Sequence, residues 1–199
     1  MFGLYITHPQ VRIDPDMPVP KWGLSDVGRA RAETLAGKAW VRRIGRIVTS
    51  DETKAIELAD ILAAAAGAPV ETVHGAHEND RSATGFLPPA EFEKAADWFF
   101  AHPEESFRGW ERAIDAQRRI VAVVRDVLAS HDPSVPIAFI GHGGVGTLLR
   151  CHLAGLPIDR IQDQPPNGGG NIHIFGLDDL KPAGSGWMPM EDFEPPSAD

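Results

Sequence analysis

Two histidines in this chain each follow a short apolar run and precede a turn. They are His8 in Leu4-Tyr5-Ile6-Thr7-His8-Pro9 and His142 in Ile137-Ala138-Phe139-Ile140-Gly141-His142-Gly143-Gly144. A β-prone run that stops at a polar residue reads as a strand end, and Pro9 cannot continue a central strand. In an open α/β sheet, ligands collect beyond the carboxyl ends of the strands, so a polar residue there is placed for binding or chemistry. One such histidine by itself reads better as a surface turn residue. The second reverses that balance, because two parallel neighbouring strands would bring the imidazoles together across 142 − 8 = 134 positions. Gly143 and Gly144 lead into a helix N-terminus whose free N–H groups favour an anion. Ser50 and Lys54 flank the end of another strand and the start of its helix. Two imidazoles, a hydroxyl, a cation and helix termini on one sheet edge describe a phosphate site.

The elements that would position these residues alternate. Strands are predicted at Leu4 to Ile6, Arg46 to Thr49, Pro69 to Val73, Ile137 to Ile140 and Asn171 to Phe175. Helices are predicted from Ser25, a suitable N-cap, to about Trp40, then over Thr53 to Ala66 with Gly67 closing it, Ala90 to Ala101, about Gly109 to Ser130, and Val145 to Leu153. The proline-rich stretch Arg12 to Trp22 and the polar stretch His74 to Pro89 read as loops, and a loop as long as the second is often functional. This order implies a three-layer α/β/α fold with a mostly parallel central sheet. A single domain over 1–199 is expected, with a loop and helical insertion at about 74–130 and a loosely ordered tail from about 182. Trp98, Phe99, Phe100 and Trp110 read as core, and Arg42-Arg43 and Arg118-Arg119 as solvated helix faces.

Composition narrows the function classes. The chain has 199 residues, 43% of them hydrophobic, and a formal net charge of -9, which argues against a broad nucleic-acid or anionic membrane surface. A small anionic ligand remains compatible if a few cations are concentrated locally. The single cysteine, Cys151, forbids an intramolecular disulfide, suits a reducing compartment and reads as a packed thiol. No stretch is apolar for long enough to span a bilayer. A cytoplasmic protein is expected, with a homodimer as one assembly.

The motifs, taken in order, resemble the histidine phosphatase superfamily, branch one, also called phosphoglycerate mutase-like. Thr7-His8-Pro9 matches its opening Arg-His-Gly, and Leu24-Ser25-Asp26-Val27-Gly28-Arg29-Ala30-Arg31-Ala32 its Leu-Thr-x-x-Gly-x-x-x-Ala. The run Ser50-Asp51-Glu52-Thr53-Lys54-Ala55-Ile56-Glu57-Leu58-Ala59 matches Ser-x-x-x-Arg-Ala-x-x-Thr-Ala, and Gly141-His142-Gly143-Gly144 matches the late Ser-His-Gly-Gly. The resemblance covers roughly residues 2 to 176 in order, which is more specific than any one motif. It implies a hydrolase for a small phosphate monoester, without cofactor or metal. His8 would be the nucleophile that forms a phosphohistidine. His142, Lys54, Ser50, Thr7 and Gly143 would hold phosphate oxygens. Glu78, in the loop after the third strand, would protonate the leaving alkoxide, which calls for a raised pKa.

The departures predict attenuation. Thr7 and Lys54 stand where the family has arginines, and each loses a planar fork for phosphate. Pro9 removes an N–H donor, and Asp14 would repel the ligand. Arg12 and Arg81 are the candidate substitutes. The competing reading is a weak or inactive member that binds an anionic metabolite or a protein partner. Two other readings carry less. Gly141 to Gly146 satisfies G-x-G-x-x-G, but only one convincing strand follows it, too few for a dinucleotide half-fold. His74, His77 and Glu78 could ligate a metal on a helix, but their stretch reads as loop.

Overall fold

The computed structural model describes residues 1–196. One sheet of six strands runs through it in the order β3-β2-β4-β1-β5-β6. These are β1 Phe2–Thr7, β2 Arg46–Thr49, β3 Val70–Thr72, β4 Ile137–Gly141, β5 Asn171–Gly176 and β6 Pro182–Pro189. β1 to β4 pair in parallel, and β5 and β6 add antiparallel at one edge. The five α-helices among the described residues are α1 Asp26–Ala36, α2 Thr53–Ala66, α3 Pro89–Ala101, α4 Ala113–Ala129 and α5 Gly143–Ala154. The architecture is therefore α/β with a mostly parallel sheet, as the alternation of elements predicts.

Alternation along the strands divides the core. Leu4, Ile6, Ile47, Ala138, Ile140, Ile172 and Ile174 point to the side covered by α1 and α2, where Leu35, Leu58 and Leu62 meet them. Tyr5, Val48, Phe139 and Phe175 point to the other side, against α4, α5 and the buried rings of Phe99, Phe100 and Trp110. Buried β4, apolar on both faces, lies at the centre, as expected of a strand covered on both sides. The Ser25 side chain caps α1 by accepting from the Gly28 N–H, and Gly67, at φ 67°, ends α2 in the left-handed conformation that glycine adopts without strain.

Three local expectations are revised. The segment from 182 begins as β6, because it pairs with β5, and Met190 and Phe193 beyond it are buried. The part of that expected tail at 197–199 lies outside the described residues. The helix expected from 109 starts at Ala113, since Arg108 and Gly109 both take positive φ. Arg119 is no solvated residue. Its guanidinium pairs with Glu111 and donates to the carbonyls of Gly75 at 2.7 Å and His77 at 2.9 Å, tying α4 to the loop after β3.

His173 alternates with Ile172 and Ile174 and so lies on the Tyr5 side, stacked on that ring at 5.3 Å. Both of its ring nitrogens are buried without a hydrogen-bond partner. Burial, reinforced by the charge of Arg150, pushes its pKa down to about 3. Below about pH 6.5 the unfolded chain therefore takes up a proton that the folded chain refuses, and stability falls with falling pH. A His173→Phe protein keeps the ring stack and loses this proton. Urea unfolding should show its stability declining less between pH 7 and pH 5 than wild type, by about 2 kcal/mol. An unchanged pH dependence would refute the burial argument.

Candidate active site

Strand order creates the site. β1 and β4 are neighbours with Thr7 opposite Gly141, and β2 flanks β4 with Thr49 opposite Ile140. The residues following these three ends are His8, His142 and Ser50, delivered side by side at the carboxyl edge, where a parallel α/β sheet binds its ligands. The rings of His8 and His142 lie 5.3 Å apart, centroid to centroid, at 68°.

The backbone of His8 is held on both sides, its N–H donating to Gly141 O and its carbonyl accepting from Gly170 N, each at 3.0 Å. Its Nδ1 lies 2.9 Å from the carbonyl of Pro9. A carbonyl only accepts, so Nδ1 carries the proton and Nε2 carries the free lone pair. Burial, then the neighbouring His142 and Lys54, lower the His8 pKa to about 3. The imidazole is neutral throughout the ordinary pH range.

His142 is fully buried, with its Nε2 at 2.7 Å from Ser50 Oγ and 3.5 Å from Glu52 Oε1. Burial lowers its pKa, against the raising influence of Glu52 and Glu78. Its main chain is clamped by Tyr5, whose hydroxyl accepts from His142 N at 3.2 Å. Gly141 has to be glycine here, because a Cβ would come within 2.3 Å of that hydroxyl. Glu78 caps α5. Its carboxylate accepts from Gly144 N at 3.1 Å and Val145 N at 3.0 Å, while its own N–H donates to Glu52 Oε1 at 2.9 Å.

Several expected ligands are otherwise engaged. Lys54 is buried, ion-paired to Glu52, and donates to Val19 O at 2.9 Å. Thr7 is no free phosphate donor. Its hydroxyl donates to Gln164 Oε1 at 2.8 Å and accepts from Asn171 N at 2.9 Å. The Arg12 side chain is exposed and forms no ion pair or hydrogen bond among the described residues. Arg81 does approach, its charge acting on both Glu78 and His142, and its guanidinium lies over Phe92 at 4.9 Å. Asp14 is spent in its own loop, accepting from Asp16 N at 3.1 Å.

Glu78 also departs from the raised pKa expected of an acid. Burial pushes it up, but His142 and Arg81 outweigh this and the net shift is downward. The sequence reading missed Glu52 and Gln164. Glu52 is 5% exposed, and although burial favours its neutral form, the nearby His142 and Lys54 hold its pKa down at about 2. Its place two residues before Lys54, at the start of α2, was the available signal. Gln164 lies over Gly143, where a Cβ would meet its Nε2 at 2.3 Å. Nothing in its proline-rich loop marks it in the sequence.

An open pocket of about 670 Å³ adjoins the paired histidines. Pro18, Val19 and Pro20 line it together with Asp51, Glu52, His74 and residues 77–82. Neither His8 nor His142 itself lines this pocket, which reaches His142 through Glu52; a second concavity of about 650 Å³ lies away from both, between α4, α5 and the start of β6. His74 and His77 are ring neighbours at 5.2 Å, but among the described residues no group of three or more His, Cys, Asp or Glu side chains is placed to hold a metal ion. Among the described residues, no helix is long and apolar enough to cross a membrane.

The model of the histidine phosphatase superfamily (branch 1) matches residues 10–185, and the chain belongs to that family. No curated protein matches it by sequence. Among solved structures it is similar to mycobacterial glucosyl-3-phosphoglycerate phosphatase with inorganic phosphate, at a TM-score of 0.78 and 19% identity over 96% of this chain and 98% of that one. It is similar to Bacillus stearothermophilus YhfR at 0.74 and 19%, over 92% and 94% of the two chains. It is also similar to Entamoeba histolytica phosphoserine phosphatase with 3-phosphoglyceric acid, at 0.73 and 14%, over 94% and 95%. At these identities the structural likeness concerns the fold.

Proposed function

We propose that the protein hydrolyses a small phosphate monoester through a phosphohistidine on His8, without a metal. The observation that carries this reading is the pairing of His8 with His142 at the sheet edge, with the His8 Nε2 lone pair free. In the first half-reaction Nε2 attacks phosphorus, the bond to the leaving oxygen breaks, and that oxygen takes a proton. In the second, water attacks phosphorus, the P–N bond breaks, and the water's proton is removed. His142 and the N–H groups at the start of α5 would stabilise the transferring oxygens as charge gathers on them.

Glu78 is the proton carrier in both halves. As a carboxylate it is ready to take the proton from water, and before that it must be protonated. A bound phosphate supplies the reason, since its negative charge beside Glu78 favours the neutral acid and its oxygens compete for the Gly144 and Val145 N–H groups. Lys54 is shared with Glu52, and Arg81 is the one guanidinium at the site among the described residues, which supports a weak grip on phosphate and slow turnover. The test is an alkaline quench during turnover of a phosphate monoester in the presence of chelator, because a phosphohistidine survives base and is lost in acid. Intact mass and peptide mapping should place one phosphoryl group on the peptide containing His8. An unmodified protein caught during demonstrable turnover would overturn the mechanism.

A further inference from the structure

The pocket beside the histidines differs in charge from what a carboxylate-bearing substrate needs. Its lining contains four carboxylates, those of Asp51, Glu52, Glu78 and Asp80, against the single guanidinium of Arg81. Arg81 is itself held over the rings of Phe92 and Trp110, at 4.9 and 5.8 Å, and faces the Glu78 charge. The polar lining is rich in acceptors, beside the buried, unpartnered Asn79 Nδ2, which donates. Nδ1 of His74 lies 2.6 Å from Asp51 Oδ2, and Nδ1 of His77 lies 2.6 Å from the Glu78 carbonyl. Each Nδ1 therefore donates, which leaves each Nε2 as an acceptor for a hydroxyl. Asp80 adds a carboxylate whose Oδ1 accepts from the Ser82 N–H at 2.8 Å. Pro18, Val19 and Pro20 add apolar surface suited to carbon-bound hydrogens, and about 670 Å³ leaves room for a polyol from glycerol to a hexitol.

We infer that the leaving group accepted here is an uncharged polyol of sugar or glycerol type, and that the pocket discriminates against phosphate esters that also carry a carboxylate. The inference rests on the phosphatase reading and adds the substrate class to it. A carboxylate brought close to Asp51 and Asp80, both exposed at the pocket's edge, meets like charge, whereas a hydroxyl at the same place finds acceptors.

Matched esters test it, because each pair differs only by a terminal CH2OH or a carboxylate. Glycerol phosphate, esterified on a terminal carbon, is compared with 3-phosphoglycerate, and sorbitol 6-phosphate with 6-phosphogluconate. In each pair kcat/KM should favour the polyol by about 10-fold or more, as expected for removing one close like-charge contact. The Asp51→Asn, Asp80→Asn double variant should narrow the ratio to about 3-fold or less. Equal ratios, or a preference for the carboxylates, would overturn the inference. Calorimetric titration of the same four esters into the His8→Ala protein ranks affinity without turnover and so separates this idea from the mechanism. Tighter polyol binding supports it even if the enzyme is inactive, and tighter carboxylate binding, or no binding of any ester, refutes it.

Discussion

The His8→Ala protein should retain less than about one thousandth of wild-type kcat/KM on any phosphate monoester that the wild type hydrolyses. Alanine leaves no lone pair on the path to phosphorus. Water would then have to attack the substrate directly in a pocket where, among the described residues, Arg81 is the one guanidinium. The fold should survive, since the side chain contributes one internal hydrogen bond, to the Pro9 carbonyl, and is not fully buried. A change in unfolding free energy of about 1 kcal/mol or less is expected at pH 7. At pH 5 the variant should even gain relative to wild type. The folded-state pKa of His8, about 3, lies far below its unfolded value, so the histidine costs stability as pH falls below about 6.5 and alanine does not. Residual activity above about a tenth of wild type would mean that the nucleophile is another group.

The second large effect concerns the buried Glu52–Lys54 pair. A Lys54→Met protein strands the Glu52 carboxylate in a site where it is 5% exposed, and should lose about 3 to 5 kcal/mol of stability in urea unfolding. Glu52→Gln acts in the opposite way on ligands. It removes the negative charge 3.5 Å from His142 Nε2 and releases Lys54, so inorganic phosphate should bind about 10-fold more tightly by calorimetry. Glu52, with its pKa near 2, is ionised at every working pH, so that gain should be constant between pH 5 and 8. The same low pKa means that the pair stabilises the fold above about pH 4.3 and that this contribution is lost as pH falls toward 2. Weaker phosphate binding by Glu52→Gln would show that Glu52 serves instead to hold Lys54 in its binding pose.

The order of strands and helices, the two strand-terminal histidines and the family were all legible in the sequence, because each rests on local information. Apolar runs of strand length, the glycines after His142 and the Ser25 cap act through neighbours along the chain. The structure alone decided which charges meet. Glu52 and Lys54 are two residues apart, yet their pairing follows from α2 burying both, and burial is a property of the packed layer. Thr7 was read as a ligand for its position before His8, while the antiparallel addition of β5 put Asn171 and the loop carrying Gln164 against its hydroxyl. Arg119 read as solvated until the loop after β3 folded over it. Glu78 stood at the expected place, but its protonation was set by His142, 64 residues away, and by the N-terminus of α5 as well as by Arg81 in its own loop. Chain-local patterns thus determined the frame and its histidines. The charge balance of the site was decided only by contacts between elements, since pKa values and ion pairs depend on distance and burial in space.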